Sequence, residues 1–545
     1  MSYDYLSFET TTFLQALPHP SNEARKAMKR TQILLKAAAV TLISVFGALA
    51  FGACGSQQAT SGTSVTDTIT AEAAYASRDF NPNSTSSALA MSANWYVVEP
   101  LYAFNYSDYS MYNALAKDEP EQVSDTEYVV TLRDNAKYSD GTDVTPEDVV
   151  ASWKRSTTKG GLYVPMLDFI QSVEPKGDHQ VTFRLKYAFP AFKERLALIK
   201  VAPATMDKDQ LTAMPIGSGP WKYVEITDQK VTFVRNDLYN GEYPAQCKNM
   251  VWNVAVDDTA RVTAMQTGKV DVMELVPTLA FDVLSKRADL KTVQAFNAPY
   301  IMFNTKKAPF DNPKVRQAVF YAIDAQQLID NQMAGQATPT TSYLIEEYPA
   351  YHQASTVYTH DVEKAKELLK EAGVTGKVKF TLYSTDQSWI TQLAPQIKNN
   401  LAEIGMEADL QSMASSALYP NITDKDDADF SMALVAGDPS VFGDDADLLM
   451  NWFYGDNTWT RQRTFWYGTD GYKKLHGLMD KALAAKSDAE RQEYWNQCYD
   501  VIAEEVPIYP LFHRKTTTAF KKGVFSESEA IGTTGLDLLQ AKLNH

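Results

Sequence analysis

The chain has 545 residues with 51 Lys and Arg against 67 Asp and Glu, a formal net charge of −16 at pH 7. That acidic balance disfavours nucleic acid as a partner. Seven histidines without HxH or HExxH spacing, and three cysteines without paired spacing, offer no dedicated transition-metal site, and nothing in the composition implies a cofactor.

Residues 1–27 carry no export logic, so Met28 is the expected biological start and 1–27 an upstream extension. Residues 28–54 read MKRTQILLKAAAVTLISVFGALAFGAC: Lys29 and Arg30 form a charged region, an apolar run follows, and small residues end on Cys54. This is the layout of an export signal over 28–53. The alternative, a transmembrane anchor, is opposed by the shortness of the run and by its interruption at Lys36 and Gly47. Phe51, Gly52 and Ala53 before Cys54 resemble a lipobox, although Phe51 stands where an aliphatic residue is usual. Cys54 is therefore the expected lipidation site and the first residue of the mature protein. Residues 55–66, rich in Ser, Thr, Gly and Gln, read as a flexible tether. Losing 1–53 removes five basic and three acidic residues and takes the net charge to −18. What remains is long enough for two or three domains.

Next along the chain, Thr145, Pro146 and Asp148 open a helix, with Thr as cap, Pro in first position and Asp answering three residues on; Val149, Val150 and Trp153 supply its buried face. Val181, Phe183 and Leu185 alternate with polar residues as in a half-buried strand. GSGP at 217–220 lacks the GxSxG spacing of a nucleophile elbow, and no phosphate loop is present. Cys247 and Cys498 either pair or remain as two buried thiols. Asn312 and Pro313 open a helix whose Val315, Ala318, Val319, Ala322 and Ile323 fall at helical spacing. Leu368, Leu369 and Ala372 precede a capping Gly373. Val378, Phe380 and Leu382 alternate as a strand, Ile397, Leu401 and Ile404 form a helix ending at Gly405, and a strand follows at 406–410. Strand, helix and strand make one βαβ-like unit. The acidic run 424–447 has no EF-hand glycine in register. The class is α/β without internal repeats, and no catalytic constellation is found.

Several blocks then identify a family. YVVTLRDNAKYSDGTDVTPEDVVASWKR (128–155) resembles the signature of the bacterial extracellular solute-binding proteins of family five, typified by oligopeptide- and dipeptide-binding lipoproteins of ABC importers. In the family's order come VEPLY (98–102), PIGSGPW (215–221), VRNDLYNG (234–241), DDTARVTAMQTGKVDVME (257–274), YIMFNTKKAPFDNPKVRQAVFYAID (300–324), AKELLKEAG (365–373) and EVPIYPL (505–511). Asp140 and Gly141 suit a tight turn, and Gly217 and Gly219 a close backbone approach.

The resemblance implies a two-lobe fold of the type II periplasmic-binding-protein kind, with a cleft that closes by hinge motion. Domain I would comprise 67–106, 215–306 and 508–545, an inserted domain II 107–214, and domain III 307–507. It further implies a noncatalytic, monomeric receptor that passes short peptides to a permease with its ATPase subunits, anchored by lipid outside the bacterial membrane. An oligosaccharide or another small solute is the alternative ligand, since Trp452, Trp459, Trp466 and Tyr454 could stack on sugars; a secreted hydrolase or a ligand sensor stand further off. Candidate cleft residues are Trp95, Tyr96 and Glu99 beside or within the VEPLY strand, Trp221 after GSGP, and Tyr300, Met302 and Asn304, which alternation puts on one face while Ile301 and Phe303 point to the core. Asp438 matches the family's AspPro pair, but the Trp and Asp that precede it in peptide binders are missing. Asp438, Asp444, Asp445 and Asp447 are the candidate carboxylates for a ligand ammonium group.

Overall fold

Branched and aromatic residues at period two build three sheets of four or more strands in a computed structural model, which describes residues 67–159 and 161–544. The export signal, Cys54 and the tether lie outside the described residues. The largest sheet has eight strands. Its order is Ala288–Gln294, Phe512–Lys521, Val272–Met273, Thr68–Ala73, Asn249–Val254, Lys230–Arg235 and Trp221–Ile226, with Ala337–Pro339 also pairing with Phe512–Lys521. Thr68–Ala73 runs parallel to both neighbours, and the other pairings are antiparallel.

A second sheet of five strands runs Met406–Met413, Val378–Thr385, Met432–Gly437, Ala298–Phe303 and Ile508–Pro510. The expected βαβ unit is here: Val378–Thr385 pairs in parallel with Met406–Met413, with the helix Ala394–Glu403 between them. Gly405 turns the chain at φ 81°, a left-handed conformation that glycine adopts without a Cβ penalty. A third sheet, antiparallel throughout, orders Glu121–Ser124, Glu127–Thr131, Gln180–Leu185 and Ile170–Lys176. The helix Pro146–Ser156 packs beside it, and the Thr145 amide donates to Asp148 Oδ2 at 2.9 Å as its capping box requires. Asn312 likewise caps Pro313–Ala322, accepting from the Lys314 amide at 3.0 Å.

Two sequence expectations change. Trp95 and Tyr96 lie on the helix Ala88–Val97, and the strand begins only at Tyr102. Ala298–Phe303 is buried on both faces rather than one. It runs inside a sheet covered on each side, with Tyr300 4.6 Å from Phe453 and Phe303 5.6 Å from Phe310 by ring centroid. Ala298–Phe303 and Ile508–Pro510 also belong to the five-stranded sheet, so the chain crosses between sheets at 295–297 and again at 511. The two crossings are laced together: the Arg514 amide donates to Asn297 O and the Ala295 amide to Arg514 O, both at 3.0 Å. Cys247 and Cys498 are separate buried thiols. The close approach foreseen for GSGP is present, since a Cβ on Gly217 would stand 1.8 Å from the Val97 carbonyl oxygen.

Candidate functional site

The segment that follows Met432–Gly437 out of the five-stranded sheet meets elements of the other two sheets, and charge is concentrated at this seam. Asp438 caps the short turn Pro439–Phe442 and accepts from the Ser440 amide at 3.1 Å. Its second oxygen accepts from the Thr534 amide at 2.6 Å, the Thr534 hydroxyl at 2.7 Å and the Thr533 hydroxyl at 3.2 Å. With the Ser440 hydroxyl as a further donor, the carboxylate's roughly four lone-pair sites are all engaged. Burial raises its pKa while these hydrogen bonds oppose the shift. Asp438 therefore ties 439–442 to 533–534 and has no acceptor site left for an ammonium group. Tyr109 strengthens the same junction by donating to Ser440 O at 3.0 Å.

Asp445 is also committed. It caps the helix Ala446–Tyr454, accepting from the Leu448 amide at 2.9 Å, and it pairs with Arg195. Arg195 also meets Asp447 at 2.9 Å. This triad, with Arg195 and Asp447 buried and Asp445 half-buried, joins the segment after the four-stranded sheet to the five-stranded sheet's helix.

Asp444 differs. No other residue donates a hydrogen bond to its side chain among the described residues, and burial raises its pKa. It lines a cavity of about 350 Å³ with Tyr106, Asp108, Tyr109, Glu347 and Tyr348. Three carboxylates on one cavity without a basic lining residue make a place where a cation is favoured.

Tyr106 also forms part of a second, narrower cavity of about 30 Å³. Its ring stacks on Trp95 at 3.9 Å between centroids, and Tyr163, Phe104 and Phe442 complete an aromatic wall. One basic residue, Lys200, lines it. Val441 and Phe442 reach this cavity from the turn that Asp438 caps, so it shuts where elements of different sheets meet.

Elsewhere on the seam the Arg514 guanidinium lies 3.9 Å over the Trp389 ring, and Arg514 Nη1 donates to Asn297 Oδ1 at 3.1 Å. The Ser388 hydroxyl donates to Asp258 Oδ2 at 2.6 Å. Among the described residues no group of three or more His, Cys, Asp and Glu is arranged to hold a metal ion.

Of the residues singled out from sequence, the structure brings Trp95 and Asp444 to these cavities. The others stand elsewhere. Tyr96 is buried against Trp252 at 5.3 Å, its hydroxyl donating to Leu536 O at 2.8 Å. Glu99 pairs with Arg133 through two contacts of 3.1 Å. Trp221 opens an edge strand and is buried, lining a small cavity with Tyr96 and Met250. Tyr300 and Met302 are core, and Asn304 is buried with its amide donating to Ala428 O at 3.0 Å. Trp452, Trp459, Trp466 and Tyr454 are buried against their neighbours, which removes them as an exposed sugar-stacking surface. Sequence reasoning missed Lys200, Tyr106 and Tyr163. For Lys200 a signal existed: it is a single charge inside the apolar run LALIKVA at 196–202.

Comparison with known proteins places this geometry. The family described as bacterial extracellular solute-binding proteins, family 5, middle region, matches residues 110–460. The glutathione-binding protein GsiB of Escherichia coli K12 is 26% identical over 430 residues, covering 76% of this chain and 82% of that protein. Among solved structures, the oligopeptide-binding protein AppA of Bacillus subtilis, in complex with a nonapeptide, superposes with a TM-score of 0.76 at 20% identity, over 88% of this chain and 99% of that one. NikA of Staphylococcus aureus, in complex with Ni(L-His)2, gives 0.76 at 19% identity, over 88% and 100%. The last two share the fold.

Proposed function

Because the chain belongs to the bacterial extracellular solute-binding proteins of family 5, we propose that it captures short peptides in the cleft between its lobes and delivers them to the permease of an ABC importer. The observation that carries this is the adjoining pair of cavities sharing Tyr106, one lined by Asp108, Glu347 and Asp444 and the other by aromatic rings. An acid-lined end suits a peptide's ammonium group, and an aromatic end suits a side chain. Asp444, rather than Asp438 or Asp445, is the carboxylate free to receive the amino terminus.

The lobes are built on the eight-stranded and five-stranded sheets, with 107–214 inserted, and they hinge at 295–297 and 511. Binding is noncatalytic and closes the cleft. The protein works outside the membrane as a monomer, held by a diacylglycerol on Cys54.

Calorimetry with a pool of di- to pentapeptides, with solution scattering on the same samples, tests this function. Peptide binding should come with compaction. Retention of an oligosaccharide on purification, with no response to peptides, would instead assign the cleft to sugars, and peptide turnover abolished by a cleft substitution would make the protein an enzyme. Fractionation of cells carrying Cys54→Ala tests the anchor: the variant should leave the membrane fraction.

A further inference from the structure

Lys200 follows the turn Leu196–Leu198, and its carbonyl accepts from Asn83 Nδ2 at 2.8 Å, which fixes the root of the side chain. Its ammonium group has no carboxylate at ion-pair distance among the described residues. Glu99 is the acid that acts on it, and Glu99 is already neutralised by Arg133 at 3.1 Å. Burial pulls the Lys200 pKa down to about 8.

Among the described residues the buried arginines and several half-buried ones are satisfied. Arg195 holds Asp445 and Asp447, Arg261 holds Asp258, Arg316 holds Glu505, and Arg463 holds Asp424. Arg155 spends its guanidinium on the carbonyls of Ala202, Pro203, Ala204 and Met206. Lys200 is half-buried and has no such partner, so an anion that joins it gains a charge-assisted contact.

We propose that Lys200 is the anchor for a carboxylate of the ligand, and that the cavity around it selects ligands whose anionic end is carried on an apolar or aromatic body. Trp95, Tyr106, Tyr163 and Phe442 supply the walls for that body. The cavity holds little more than a water molecule, so the ligand enters when Val441 and Phe442 withdraw with the second lobe. Asp444 lines the neighbouring cavity that shares Tyr106, so a peptide lies with its amino end at Asp444 and its carboxyl end at Lys200. A ligand that satisfies both ends is zwitterionic. This assignment rests on the solute-binding function above and adds to it the chemistry and direction of the ligand.

The test compares wild type, Lys200→Met, Lys200→Gln and Lys200→Arg against tripeptides ending in Leu, Phe or Tyr, each as free acid and as carboxyl-terminal amide, by equilibrium dialysis with mass-spectrometric readout. Wild type should hold the acids about tenfold more tightly than the amides, as a charge-assisted contact implies. Lys200→Met and Lys200→Gln should lose that preference, and Lys200→Arg should keep most of it. Without ligand, the melting temperature of Lys200→Met should equal or exceed that of wild type, because an unpaired, half-buried charge has gone. Equal binding of acids and amides by wild type, or an undiminished preference in both neutral variants, overturns the assignment. If neither peptide form binds, the peptide function fails, and phenylacetate against phenylacetamide on the same proteins decides Lys200: an acid preference lost in the neutral variants supports the anchor, and no preference overturns it.

Discussion

Arg195 and Lys200 lie five residues apart in one apolar segment, and both turn towards the same seam. Arg195 finds two aspartates there and Lys200 finds none. The acids repeat the contrast: Asp438 has every acceptor site filled across the junction, while Asp444 looks into a cavity. Within one seam, some charges have complete partners and fasten its elements together, and others have none. Neither residue type nor burial alone separates the two classes; the distinction is the count of partners against the count of donor and acceptor sites.

The sharpest way to break the comparison is to remove a fastening charge. Arg195→Met should leave Asp445 and Asp447 facing each other without a cation and cost about 3 to 5 kcal/mol in urea unfolding, as expected when one member of a buried ionic group is deleted. A loss no larger than that of an exposed ion pair would move the triad into the other class. Asp438→Asn is a milder cut. The new amide must point donors at some of the groups that now donate to the carboxylate, and a loss of about 1 to 3 kcal/mol should follow. Hydrogen exchange at Ser440 and Thr534 should report it locally, and unchanged protection there would refute the role of Asp438 as a fastener.

Acid supplies a third probe, through the hinge. His513 is buried beside Phe296, 5.3 Å away between ring centroids, and burial lowers its pKa to about 4 from the ordinary 6.5. The folded protein thus favours the neutral ring. Stability from this group is fully present above pH 6.5 and falls as pH drops from 6.5 towards 4, by about 1.4 kcal/mol per pH unit in that window. His513→Phe keeps an aromatic ring against Phe296 and should flatten this part of the pH–stability curve; an unaltered slope would assign it to other groups. The smallest effect on stability belongs to Asp444→Asn. With no donor from another residue to lose, the fold should change by no more than about 0.5 kcal/mol. Affinity for peptides with free amino termini should drop about tenfold, while acetylated peptides keep theirs. Equal losses for both forms would return Asp444 to the merely solvated acids.

Where a feature depends on neighbours a few residues away, the sequence by itself determined it. The box of Thr145 and Asp148, the cap and proline at Asn312 and Pro313, and the strand, helix and strand around Ile397 with its left-handed Gly405 all appear as expected, because caps and periodicity are settled by local sterics and hydrogen bonds. Family membership was legible too, since its blocks span most of the chain. Only the tertiary structure decided which way side chains face. Tyr300 and Trp221 became core because sheets and helices distant in sequence close over them, Asp438 was consumed by Thr533 and Thr534 some 95 residues on, and Lys200 was left unpaired because Glu99 had been taken by Arg133. Partnership of that kind depends on which distant segments meet, and local periodicity carries no information about that.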